Sequence, residues 1–258
     1  MIDLNKLVGL DIKFDEKECK LSFGKGLTVR EPAVRTIGQM REVLADEKVS
    51  EPEELYYMYR DVYRLKDDAI IKQHKLRFDI TIIKPAILGK EFMKTAGHYH
   101  PKDYPELYEV VYGEALCLQQ RRDANDFRKI KEVIVVKARQ GQKIVCLPNF
   151  GHILINAGDK PLITSNWVSS EFSSEYQLYK QSKGAAYYAF AKGKEADWQR
   201  NNFYTEIPKI KFVTPADDIA AFGLKSDSPM YSLVEGLLGK IDFLNHHDKY
   251  KYDNAFRK

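Results

Sequence analysis

The chain has 258 residues, 44% of them hydrophobic and 30% charged. That length suits one large domain, or a domain with an appendage, burying roughly 70–75% of its unfolded surface. Lys and Arg number 41 against 37 Asp and Glu, a net charge of +4, too small a surplus to mark a nucleic-acid binder. Three cysteines (Cys19, Cys117, Cys146) without C-x-x-C spacing argue against a disulfide framework and a zinc ribbon. No apolar run approaches the ~18 residues of a bilayer span, and the first residues, MIDLNKLVGLDIKFDEKE, carry no signal-peptide apolar region. The expectation is a soluble, cytoplasmic protein with no nucleic-acid or membrane partner.

Residues 1–75 mix charged and short apolar segments and read as an N-terminal segment packing on the rest of the chain. Within it, VRTIGQMREVLADE (34–47) predicts an amphipathic helix with Ile37, Met40 and Val43 at helical spacing. EPEELYYMYRDVYRL fits either a helix or a strand. From residue 76 the texture changes to short runs rich in Val, Ile, Tyr and Leu: RFDITIIKPA, ELYEVVYGEALCLQQR, KEVIVVKA, QKIVCLPN, GHILINAG and PLITSNWVSS. Turn formers separate them and no helix intervenes, so residues 76–190 predict a mainly β, antiparallel barrel or sandwich rather than a βαβ fold. Residues 191–258 turn irregular, with one short helix expected over SPMYSLVEGLLGKIDFL. Their Phe, Tyr and Leu suit packing on the barrel or on a second subunit.

Two windows carry chemistry. In TAGHYHPKDYPELYEVVYG (95–113), His98 and His100 would project to the same face of an extended chain. Glu106 follows a Pro-containing turn at the start of the next strand. In GQKIVCLPNFGHILIN (141–156), a Pro/Gly turn delivers His152 to the start of a strand. Each residue alone has an ordinary structural explanation, as a satisfied histidine or a solvated carboxylate. Together, three imidazoles and one carboxylate around a divalent cation leave two open positions, which suits a cation that meets substrate. His74, His246 and His247 lack such context and read as surface residues.

In that order and spacing the residues resemble the cupin superfamily. Its first motif is H-x-H, Glu, then Gly; its second is Gly, a Pro-containing turn, His and Asn. The phrases IIKPAILGKEFMKTAGHYH, PELYEVVYGEALCLQQ and PNFGHILINAGDKPLITSNWV resemble, more narrowly, the cupin-type glucose-6-phosphate isomerases over roughly residues 30–190. The resemblance implies a double-stranded β-helix (an antiparallel jelly roll), a homodimer, and one divalent metal per subunit (Fe, Mn, Zn or Ni) on His98, His100, Glu106 and His152. It implies interconversion of glucose 6-phosphate and fructose 6-phosphate through a metal-stabilised enediolate or a hydride shift, with Glu106 and Tyr176 as catalytic residues. It places the sugar phosphate on Thr81, Thr95, Gly97, Tyr108 and Tyr56. Two positions depart from it: a tyrosine of the family falls where this chain reads Asn166-Trp167-Val168, and a histidine falls at Ser174. The same ligand set also suits an Fe(II) cupin dioxygenase or mannose-phosphate isomerisation, and the fold alone a non-catalytic sugar-binding cupin.

Overall fold

The inward and outward faces of each strand derive directly from residue alternation. In Leu76–Ile83, Leu76, Phe78, Ile80 and Ile82 share one face, while Arg77, Asp79 and Thr81 point to the other and line a cavity. The computed structural model describes residues 1–29, 31–193, 195–216, 218–219, 224–225 and 228–257. An N-terminal sheet holds β1 (Ile2–Asp3), β2 (Ile12–Asp15) and β3 (Lys20–Phe23). Next come β4 (Ala33–Thr36), β5 (Glu54–Tyr59), β6 (Leu76–Ile83), β7 (Ile87–Leu88) and β8 (Glu91–Lys94). The remaining barrel strands in chain order are β9 (Glu106–Tyr112), β10 (Glu114–Arg122), β11 (Ile130–Arg139), β12 (Lys143–Cys146), β13 (Gly151–Asn156) and β14 (Leu162–Ser169). After them come β15 (Tyr187–Lys192), β16 (Glu195–Arg200) and β17 (Lys211–Pro215).

Among the described residues two curled sheets face one another. One has six strands in the order β12-β9-β14-β6-β5-β4; the other has nine, with β16-β15-β8-β13-β10-β11-β17 along its path. The chain crosses between them at Gly113, whose φ of +83° and close approach to the Pro161 carbonyl (2.8 Å from where a Cβ would stand) admit only glycine comfortably. The fold is the mainly β, double-stranded β-helix of the cupins.

Two expected helices take other forms. Residues 34–47 begin as β4, with Val34 and Arg35 paired to Tyr57 and Tyr56. Only one turn of helix, α1 (Ile37–Met40), and a 3-10 turn (Arg41–Val43) come next, opened by a capping box between Thr36 and Gln39. Ile37, Met40 and Val43 are buried as their spacing requires, but an apolar residue every third position fits this tight turn as well as a longer helix. The ambiguous tyrosine-rich stretch is β5. The C-terminal helix is two 3-10 segments, Met230–Val234 and Leu238–Leu244, separated at Gly236, which takes a φ of +81° and breaks the helical path.

These C-terminal segments pack with the N-terminal sheet on the outer face of the six-stranded sheet, forming a second core. Trp167 and Phe78 lie 4.8 Å apart between centroids, and Tyr231 stacks on Trp167 at 6.0 Å. The backbone of Met230 is held from both ends, its carbonyl accepting from Trp167 Nε1 (3.0 Å) and its N–H donating to Glu109 Oε2 (2.8 Å). Glu109 also pairs with Lys143 at 3.1 Å, both buried. Covered on both faces, β9 and β14 are buried almost throughout, polar residues such as Glu106, Glu109, Thr164 and Asn166 included.

Burial pushes the Glu109 carboxyl up to about 6 from an ordinary value of 4.5, against the pull of Lys143 and the Met230 N–H. A raised folded-state pKa stabilises the fold below 4.5, and that contribution is lost as the pH rises through about 6. The urea midpoint of the wild type, relative to Glu109→Gln, is therefore expected to fall between these pH values; a constant difference would contradict the placement of this carboxyl.

Candidate metal centre and substrate cavity

His98 and His100 come after β8 in extended chain. His98 forms an isolated antiparallel bridge with His152, its N–H donating to the His152 carbonyl at 3.3 Å and its carbonyl accepting from the His152 N–H at 3.1 Å. This bridge keeps the i, i+2 alternation that sends both His98 and His100 inward. Glu106 opens β9 in the opposite sheet. The two sheets thus deliver four side chains to one point, with one donor atom from each lying within 4.8 Å of all the others. His98 Nε2 stands 2.9 Å from His100 Nε2, and His152 Nε2 stands 3.0 Å from Glu106 Oε2. The same carboxylate oxygen lies 3.4 Å from His100 Nε2 and 3.8 Å from His98 Nε2.

The hydrogen bonds fix what these atoms offer. His100 Nδ1 donates to the Tyr104 carbonyl at 2.8 Å, so its Nε2 presents a lone pair. That lone pair faces a second imidazole nitrogen and an anionic oxygen, a cluster of acceptors that a cation reconciles. For bonds of about 2.1 Å, adjacent ligands would sit about 3.0 Å apart in an octahedron and about 3.4 Å apart in a tetrahedron. The separations of 2.9, 3.0 and 3.4 Å fall near this range, and that of 3.8 Å lies outside it. Burial first, and the neighbouring His152 second, push His98 down to about 3, leaving it neutral. Burial also lowers His152. For Glu106 burial works the other way, but the rings of His100, His152 and His98 outweigh it and hold the carboxyl well below its ordinary range. Its second oxygen accepts from Asn166 Nδ2 at 2.7 Å.

Over this cluster opens a cavity lined by Tyr56, Thr81, Thr95, Gly97, Tyr108 and Tyr176, the residues that the sequence pattern assigned to substrate or catalysis. Val168 and Ser174 line it too. Tyr176 lies 5.4 Å from His98 between ring centroids. Thr95 Oγ1 accepts from the Leu154 N–H at 3.0 Å, and the Tyr56 hydroxyl accepts from Arg35 Nε at 3.1 Å and from the Ala96 N–H at 3.2 Å. Both hydroxyl protons remain free to point at a ligand. Gly97 has a φ of +78°, and a Cβ there would meet Ile153 Cγ2 at 2.4 Å and the Tyr179 ring at 2.6 Å.

Sequence reasoning passed over three kinds of residue here. Asn166 was read only as part of a departure, yet it orients Glu106; the pairing of Val168 with Glu106 and of Asn166 with Tyr108 puts it on the cavity face. Arg35 fell in a segment expected to be helical. Its guanidinium lies 5.3 Å from the Tyr176 centroid and 5.8 Å from that of Tyr56, without a carboxylate partner among the described residues. Arg77 and Asp79 are ordinary polar strand positions until the barrel closes.

An antiparallel double-stranded β-helix that collects H-x-H, Glu and His donors between its sheets has the form that the cupin resemblance implies, with a candidate metal centre. A sequence model of the family described as glucose-6-phosphate isomerase matches residues 34–206, and the chain belongs to that family of isomerases. It is 30% identical over 151 residues to a glucose-6-phosphate isomerase of Thermococcus litoralis, covering 56% of this chain and 73% of that protein. It is also 30% identical over 136 residues to the Pyrococcus abyssi protein of the same name, covering 50% and 66%. Among solved structures, the Bacillus subtilis oxalate decarboxylase aligns with a TM-score of 0.34 at 17% identity, covering 47% of this chain and 27% of that one.

Gly97→Ala would drive its Cβ into Ile153 and Tyr179 and displace the adjacent His98. Titration of the metal-free variant with Zn²⁺ is expected to show affinity at least about tenfold weaker than wild type, the scale of losses when ligand support is disturbed. Equal affinity would show that the 95–98 segment is not held by this contact.

Proposed function

We propose that the chain interconverts glucose 6-phosphate and fructose 6-phosphate in the cavity between its two sheets. The observation that supports this most is the convergence of four donor atoms within 4.8 Å on the wall of a cavity that hydroxyls and N–H donors also line. His98, His100, Glu106 and His152 would hold one divalent cation, iron, manganese, zinc or nickel. When bound, it supplies positive charge beside the substrate oxygens on which negative charge grows.

The chain's own groups divide the remaining work. The hydroxyls of Thr81, Thr95, Tyr56 and Tyr108 and the Gly97 N–H hold the phosphate by directed hydrogen bonds, each strengthened by the acceptor's charge. Arg35, lying against Tyr56 and Tyr176, adds the positive field that a dianion requires. Glu106 takes the proton from one carbon of the C1–C2 pair and returns it to the other. Asn166 holds one carboxylate oxygen still while this happens. Tyr176, packed near His98, handles the hydroxyl proton.

A coupled assay of fructose 6-phosphate conversion to glucose 6-phosphate tests the reading. The wild type is expected to turn over, and Glu106→Gln to lose about 10²–10⁴-fold in kcat with little change in affinity for inorganic phosphate. Solvent deuterium should enter C2 of the product glucose 6-phosphate if Glu106 carries the proton; label-free product would replace that route by a hydride shift. Absence of conversion by a metal-loaded chain, or oxygen uptake in its place, would overturn the assignment.

A further inference from the structure

Three inward rows cross the six-stranded sheet beneath the cavity, set by strand register. In the first, Val168 of β14 pairs with Glu106 on one side and Arg77 on the other; in the second, Asn166 pairs with Tyr108 and Asp79; in the third, Thr164 pairs with Val110 and Thr81. Arg77 therefore stands level with Glu106, two strands away. Strand spacing puts their backbones about 10 Å apart, with a valine as the floor between them. Both side chains line the cavity, one on either side of that valine. The small side chains of Val168 and Ser174 line the same cavity.

Arg77 is held in an unusual way. Its Nε donates to both oxygens of Asp79, at 3.0 and 2.9 Å, and Asp79 is anchored by the Asp61 N–H at 3.0 Å. No described residue bonds the two Nη groups, so four N–H donors of a fixed, permanently charged fork remain. The pair is largely withdrawn from water, with the Asp79 side chain 9% and the Arg77 side chain 23% exposed. Burying two charges is costly, and an apolar pair would hold the strand at least as well. A purely structural role explains the Asp61 contact but not a guanidinium with its donors turned free in the candidate active cavity.

We infer that Arg77, oriented by Asp79, is a substrate-contacting residue that donates hydrogen bonds to oxygens at the sugar end, beside the metal-binding row and away from the phosphate. This rests on the sugar-phosphate reading of the cavity. A guanidinium is not deprotonated at neutral pH, so it binds and stabilises negative charge on those oxygens while Glu106 moves the proton.

The test uses the double variant Arg77→Met/Asp79→Asn, which removes both charges together and keeps an acceptor for Asp61, so that no lone carboxylate is left buried. Thermal midpoint and bound metal per chain establish that it is folded and loaded; Arg77→Lys serves as a second variant that keeps the charge without the fork. Calorimetric titrations use two probes, inorganic phosphate and a five-carbon aldonic acid carrying a terminal phosphate, whose carboxylate imitates the charged sugar end. The double variant is expected to bind the aldonic acid phosphate about 10- to 100-fold more weakly, the scale of hydrogen bonds to charged groups, and inorganic phosphate as the wild type does. Arg77→Lys should fall between. Equal binding of the aldonic acid phosphate by wild type and double variant, or parallel loss of both probes, would overturn the role of Arg77. Wild-type conversion of fructose 6-phosphate is scored separately: its absence counts against the isomerase reading, while the two-probe comparison still decides the place of Arg77.

Discussion

Every functional feature of this molecule depends on one short contact between two sheets, where Glu106 Oε2 meets His152 Nε2 at 3.0 Å. Glu106 comes from the six-stranded sheet; His152 and the bridged His98 come from the opposite one. A carboxylate buried this deeply among imidazoles is unfavourable unless hydrogen bonds or positive charge compensate it. The cluster therefore joins the two walls of the barrel and offers a place that could hold a cation at the same point. The His100 bond to the Tyr104 carbonyl and the Asn166 bond to Glu106 fix ring and carboxylate before any ligand arrives.

The outer face of the six-stranded sheet meets a different need. Leu107, Val111, Ile163 and Trp167 alternate with the cavity residues on the same strands. They would be exposed if the barrel stood alone. The N-terminal sheet and the 3-10 segments after residue 229 cover them, and the buried Trp167 and Phe78 mark where that cover is tightest. A large aromatic side chain removed from such a site costs about 3–5 kcal/mol, so the cover contributes to holding the strands in the register that aligns Glu106, Val168 and Arg77. Strand register and catalytic geometry are one property here, because a shift by one residue would turn the whole inward set outward.

The donor cluster was legible from the sequence because its spacing is local. Alternation sends His98 and His100 to one face, the Pro-containing turn returns Glu106, and Gly151 precedes His152 at a strand start. The strands from residue 76 to 169 were legible for the same reason, each a short β-branched run bounded by turn formers. Arg35 was not, because Ile37, Met40 and Val43 at three-residue spacing describe a helix and a 3-10 turn equally well. Arg77 and Asp79 were hidden by their ordinariness: only the pairing of β6 with β14, and of β14 with β9, places Arg77 level with Glu106 and Asp79 level with Tyr108. The C-terminal segment misled through its apolar content, which fits a helix until Gly236 takes a left-handed conformation. Departures at Val168 and Ser174 likewise acquire meaning only from their place on the wall of the cavity that Arg77 also lines.

The most direct measurement strips the chain with a chelator and then adds Mn²⁺ in steps. Bound metal per chain and the rate of fructose 6-phosphate conversion are read in the same samples. If the four-residue cluster is the active centre, the stripped chain is inactive, the rate rises in proportion to occupancy, and both level off at about one ion per chain, the capacity of a single three-imidazole, one-carboxylate site. His152→Ala would remain at zero on both axes. Full activity in the stripped chain, or binding at the cluster that leaves the rate unchanged, would contradict a metal-dependent isomerase built on these residues.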